Sequence, residues 1–313
     1  MLTGLDKLFL GLAIAEFIIG MLGNVFIGVV YCSQWVKNQK ISLADFILTC
    51  LVISRIIQLL VSLCDSCVVK LASPLHATYK LVKSVIILWR ISNHLTTWFA
   101  TCLSTVYFLK IAHFSHPLFL WLRWRMNRVV FMLLLLSLFL LILDIVTLER
   151  FFDLWINIYR IDKSNLTFYL RETETFYTKD ITLLRVTYFV PIVLSLTFLL
   201  LLFLSLVRHT RNLKLHSTGH GDSSTEAHKR AMKMVMSFFF LLIVHYFSTQ
   251  AGLWVFSTYW NEKYIKFVVL TLSAFPTGHS FIMILANRNL RQTVLVVLGR
   301  VKGHLKRSNR LVL

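Results

Sequence analysis

The residues best placed to do chemistry in this 313-residue chain are polar side chains stranded in apolar sequence. Arg55 stands near the middle of LTCLVISRIIQ. A cation at that depth in a membrane helix costs about 3 kcal/mol, so it must face other helices and find partners there. Upstream, Glu16, Gly20 and Asn24 recur every fourth residue and share one helix face, with Gly20 permitting close approach. The expected contact is Asn24, with Glu16, against Arg55. It reads as an interhelical clamp or, more sharply, as a switch that repacks between two states.

A second set could form a binding site. Trp89 and Asn93 lie one turn apart, and Tyr246, Gln250 and Trp254 form a similar row. Such rows can wall an apolar cavity with a few polar handles, or serve as bundle packing with an interfacial aromatic belt. His209, His216, His220 and His228 cluster in sequence, but their spacing is irregular and no cysteine joins them, so no metal is expected. Paired carboxylates and nucleophile motifs are not apparent, and no acids or His pairs are expected to cluster inside the bundle. The chain is expected to be no enzyme and to use no cofactor.

The elements that carry these residues follow from composition. The chain is 57% hydrophobic and only 15% charged, with a mean hydropathy of +0.71; a soluble domain carries about 25% charged residues. A helix that crosses a bilayer needs about 20 apolar residues. Seven candidate spans cover 8–31, 43–64, 84–110, 127–148, 183–208, 232–256 and 265–286. The third and seventh are the most polar, as suits helices facing a bundle interior. The fold class is an all-α membrane protein, a single seven-transmembrane-helix domain over 1–313 with a basic tail at 287–313.

Charge sets the orientation. Segments 32–42, 107–128, 207–233 and 287–313 hold 19 Lys and Arg against two acids, Asp222 and Glu226. The alternate segments 1–7, 65–83, 149–182 and 257–266 hold 11 against nine acids. Positive charge collects on the cytoplasmic side, which predicts the N-terminus outside and the C-terminus inside. The net charge of +19 then calls for no nucleic acid partner. In FLKIAHFSHPLFLWLRWR, residues 108–125, Lys and Arg can meet anionic lipid headgroups while Phe119, Trp121 and Trp124 sit at the interface; the same surface could dock a cytoplasmic protein.

Local signals add detail. Asn165-Leu166-Thr167 is an N-glycosylation sequon in the long 149–182 loop, on the side predicted to be outside. Gly219-His220-Gly221 reads as a break, and Ser223-Ser224-Thr225-Glu226 as a capping box with Ser223 as N-cap. Residues 8–31 are too long for a signal-peptide core and are expected to remain as an anchor. Cys50 and Cys102 fall inside apolar segments as small buried thiols; Cys64 and Cys67 could pair or stay free.

Several stretches closely resemble the type 2 taste (bitter) receptors, seven-helix G-protein-coupled receptors. They include EFIIGMLGNVFI at 16–27, LTCLVISR at 48–55 and FATCLSTVYFLKIAHFSHPLFLWLRWR at 99–125. SLVRHTRNL at 205–213, DSSTEAHKRAMKMVMSF at 222–238 and HSFIMILANRNLRQ at 279–292 complete the resemblance. Like that family, the chain has Lys110-Ile111-Ala112 where rhodopsin-like receptors carry an acidic-Arg-aromatic triplet, and His279-Ser280 in place of an Asn-Pro pair. The 149–182 loop has no cysteine, so a disulfide from it to the third helix is impossible.

The resemblance implies a plasma-membrane receptor that binds small bitter agonists in the outer half of the bundle, among helices 3, 5, 6 and 7. Trp89, Asn93 and Tyr246 match ligand-contact positions, with Gln250 in the same row. Val269 occupies a position where some relatives carry a charged contact. Asn24, Arg55 and Ser280 match positions credited with linking helices 1, 2 and 7. A gustducin-type heterotrimeric G protein would meet the inner end of helix 3 and the adjoining loops, at Lys110, His113, Arg123, Arg125, Arg208, His209, His228, Lys229, Arg230 and Lys233. In such a receptor Asn165 is glycosylated. The competing class is a transporter or channel, which would favour inverted repeats, broken helices or charged pore rings.

Overall fold

The computed structural model describes residues 4–38, 42–71, 75–160, 166–216, 222–258, 262–287, 290–296 and 299. Eight helices are named over them. They are α1 (Gly4–Asn38), α2 (Leu43–Leu71), α3 (Leu75–Ile111), α4 (Pro117–Trp124), α5 (Met126–Arg160), α6 (Leu166–His216), α7 (Asp222–Thr258) and α8 (Glu262–Ala286). Each of the seven apolar segments lies within one long helix. Five of these helices, α1, α2, α5, α6 and α7, contain stretches long and apolar enough to cross a membrane. The third and seventh segments, on α3 and α8, are the more polar ones.

The helices extend well past the apolar runs. α5 continues to Arg160 and α6 starts at Leu166, so most of the expected 149–182 loop is helix. Neither flank contains Gly or Pro before Pro191, so nothing local stops either helix. Asn165 lies outside the described residues, as does Gly219-His220-Gly221. α7 begins at Asp222, which puts Ser223 inside the first turn rather than at the N-cap.

α4 is an addition to the expected elements. Pro117 occupies its first turn, where a missing N–H costs nothing, and His116 caps it by accepting Leu118 N–H at Nδ1, 3.2 Å away. The resulting amphipathic turn faces two ways. Phe119 is buried against Phe108 and Phe114, not at an interface as the sequence reading had it. Trp121 and Trp124 remain outside, and the Arg125 guanidinium lies 5.1 Å and 5.8 Å from their ring centroids.

The helices close into a ring in the order α1, α2, α3, α5, α6, α7, α8, with α3 also packed along α6. Polarity is inverted relative to a soluble core. Large apolar residues such as Leu22, Phe131, Phe139, Phe240 and Phe247 point outward, while Asn24, Arg55, Arg90, Asn93, His94, Asp144, His245 and Ser280 are buried. In hydrocarbon that arrangement is the stable one, because polar groups must find partners inside the bundle. Gly20 sits at a close crossing: a Cβ there would approach Thr277 Oγ1 on α8 to 2.5 Å and Leu59 on α2 to 3.0 Å.

Candidate functional site

The buried polar residues form successive layers between the end of the bundle that bears α4 and the far end. The layer nearest the far end holds Arg90 of α3, Asp144 of α5 and Asp180 of α6. Arg90 Nη1 donates to Asp144 Oδ1 and Asp180 Oδ1, each at 2.9 Å, and Nη2 donates to Asp180 Oδ2 at 2.5 Å. Thr147 Oγ1 adds a longer bond to Asp180 at 3.3 Å. All three charged residues are buried. The sequence reading expected no clustered acids inside the bundle, and Asp144 and Asp180 correct it. By sequence Asp180 falls in the predicted 149–182 loop, whereas it lies on α6, and the two acids meet only through helix packing.

One turn along α3, Asn93 is 1% exposed and joins three helices. Its Oδ1 accepts from Gln58 Nε2 of α2 at 3.0 Å, and its Nδ2 donates to Tyr188 Oη of α6 at 2.5 Å. Tyr188 packs with Leu184 and Ile192, and Tyr246 of α7 lies against that group. Trp89 and Gln250 are half-buried. The side chains of Val269 and Trp254 lie outside the described residues. Below Asn93, Thr101 Oγ1 sits 3.0 Å from Pro191 O and receives the Ser195 hydroxyl at 2.8 Å, so α3 and α6 stay bound where the proline interrupts the α6 ladder.

Neither of two small cavities defined by described residues is lined by Trp89, Asn93, Tyr246 or Gln250. One, of about 160 Å³, lies at the α4 end among Tyr31, Tyr107, Met234, Phe238, Met283, Asn287 and Leu290. The other, of about 170 Å³, opens between α3 and α5 beside Trp98 and Leu134.

The next layer is the Arg55 cluster. Arg55 and Asn24 are both fully buried, but no hydrogen bond joins them among the described residues, because Ser280 of α8 stands between. Arg55 Nη1 donates to Ser280 Oγ at 3.2 Å. The Ser280 hydroxyl lies 2.8 Å from both Asn24 Oδ1 and Pro276 O, and Asn24 Nδ2 donates to Gly20 O at 2.8 Å. α1, α2 and α8 are thus tied through one hydroxyl. Glu16 is half-buried and makes no hydrogen bond or ion pair among the described residues. Gln58 and Arg55 stand one turn apart on α2, so the Asn93 layer and the Arg55 layer share that helix.

Toward the α4 end, Asn287 Nδ2 donates to Tyr31 Oη at 3.0 Å, and His113 N–H donates to Ser205 Oγ at 2.9 Å. The His113 and His209 rings lie 6.0 Å apart. Lys110, His113, Arg123, Arg208, His209 and Lys233 are exposed at this end and Arg125 is half-buried. The side chains of His228, Lys229 and Arg230 lie outside the described residues. Cys64 is a free, exposed thiol, Cys102 is free and buried, and the side chain of Cys67 lies outside the described residues.

Comparison with known proteins gives a consistent result. Residues 1–302 match the family model described as taste receptor protein (TAS2R). Taste receptor type 2 member 42 of Pongo pygmaeus is 63% identical over 314 residues, 99% of each chain. The Homo sapiens protein of the same name is 63% identical over 316 residues, the full length of both. Taste receptor type 2 member 7 of Papio hamadryas is 42% identical over 299 residues, 94% of each chain.

Proposed function

This chain belongs to the type 2 taste receptor family, and from that premise we propose how a seven-helix, multi-pass bitter taste receptor built on these residues binds its agonists and signals. Receptors of this kind take small-molecule ligands, act through a G protein and catalyse nothing themselves.

The α4 end faces the cytoplasm and the far end faces outward, as the basic asymmetry requires. Agonists enter from the far end and reach the region bounded by Trp89, Asn93, Tyr246, Gln250 and Val269. The observation that carries this is the Gln58–Asn93–Tyr188 chain. Asn93 retains a second amide hydrogen and a second lone pair, so an agonist can add a hydrogen bond there or compete for one of the two already made. Either event pulls on α2 or α6. Through Gln58 the strain reaches Arg55, Ser280 and Asn24, whose single shared hydroxyl suits an element with two arrangements.

An agonist that binds one arrangement better shifts the population toward it. At the cytoplasmic end, Lys110, His113, Arg123, Arg125, Arg208, His209, His228, Lys229, Arg230 and Lys233 form the basic surface for a gustducin-type G protein. Trp121, Trp124 and Arg125 rest against anionic headgroups of the inner leaflet. Asn165 carries the glycan on the outer side.

The test is calcium imaging of cells that express the chain with a promiscuous taste G protein, against a broad bitter panel. Asn93→Ala is expected to raise the half-maximal concentration of responding agonists after normalisation to surface receptor. Dose–response curves that superimpose on wild type across the panel would exclude Asn93 from the site.

A further inference from the structure

Arg55 has more donors than partners. Nη1 reaches Ser280, while Nε and Nη2 have no hydrogen-bond partner among the described residues, although the side chain is wholly buried. Beside it stands the Phe275 ring, 5.9 Å from the guanidinium carbon. His245 of α7 stacks on that ring at 4.3 Å, and His279 lies 5.7 Å from it. Both imidazoles are buried; among the described residues His245 has neither ring nitrogen partnered and His279 lacks a partner at Nδ1.

A cation in such a place needs a counter-charge. The two buried carboxylates among the described residues, Asp144 and Asp180, are committed to Arg90. Ser280 and the Phe275 ring adjoin Arg55 directly, His245 and His279 flank that ring, and Asn24 is reached through Ser280, none of them acidic. An unpaired buried ion is strongly destabilising, and an unsatisfied donor adds its own desolvation penalty. A group that removes both costs at once is a small anion that accepts several N–H bonds.

We propose that Arg55, with His245 and His279, forms a buried site for one small monovalent inorganic anion, filled by chloride under physiological conditions. The anion accepts from the free Nε and Nη2 hydrogens and from an imidazole N–H. It thereby joins α2 to α7 and α8 on the side of Arg55 opposite Ser280. This site lies deeper than the agonist region and does not depend on it.

The experiment uses agonist-free, full-length receptor in lipid nanodiscs. Its melting temperature is measured as chloride replaces gluconate at fixed pH and ionic strength. Wild type is expected to gain a few degrees along a saturating curve, with bromide substituting. His245→Phe keeps the stack on Phe275 and leaves Arg55 in place, so it reports on the site even if Arg55→Gln fails to fold; its curve is expected to shift to higher chloride or flatten. Equal melting in the two salts would overturn the proposal, because water alone then satisfies Arg55. A chloride response undiminished in His245→Phe would overturn it as well, by placing the anion elsewhere.

Discussion

Replacing Arg90 with methionine removes the guanidinium that holds Asp144 and Asp180 at 2.9 Å and 2.5 Å. Two carboxylates then share a buried site with no cation. Breaking a buried pair from one side costs about 3–5 kcal/mol, against a total stability of about 5–15 kcal/mol for a typical domain. Neutral interhelical hydrogen bonds in membranes are worth about 0.6 kcal/mol on average, so the charge, not the bond count, decides the outcome. Arg90→Met is therefore expected to lose most folded receptor at the cell surface. Asp144→Asn is expected to be milder, since Asp180 keeps both of its bonds to Arg90. The neutral triple variant Arg90→Met, Asp144→Asn, Asp180→Asn should recover much of the loss, because no uncompensated charge remains. Surface immunolabelling and thermal stability in nanodiscs measure all three. Wild-type surface level and melting in Arg90→Met, or a triple variant no better than Arg90→Met, would refute the electrostatic reasoning.

Tyr188→Phe removes the phenolic oxygen that accepts from Asn93 while keeping the ring. A loss of about 1 kcal/mol is expected in stability, and a several-fold change in agonist potency should follow where the agonist uses Asn93, read by calcium imaging at matched surface levels. Gly20→Val forces a branched side chain against Thr277 and Leu59. Overpacking of this kind costs about 1–3 kcal/mol and should lower surface receptor, as measured by flow cytometry; a normal level would show that α1 shifts freely. Asn165→Gln should abolish a glycosidase-sensitive mobility shift of the wild-type chain. A wild-type chain that shows no such shift would contradict the outward placement of that loop.

Much of the architecture was legible without coordinates. Hydropathy alone marks seven segments, because burying a backbone in hydrocarbon demands runs of about 20 apolar residues. It also singles out Arg55, since an isolated cation in such a run must turn inward. What stayed hidden was pairing. Asp144 and Asp180 lie 54 and 90 residues from Arg90 along the chain, and no local pattern joins them; the signal available was a lone Asp144 inside LILDIVTL. Ser280 as the link between Arg55 and Asn24, Gln58 and Tyr188 as partners of Asn93, and Phe119 turning inward are of the same kind. Sequence periodicity reports which residues must leave lipid. Which of them meet depends on the rotation and depth at which each helix packs, and only the closed ring of helices fixes those.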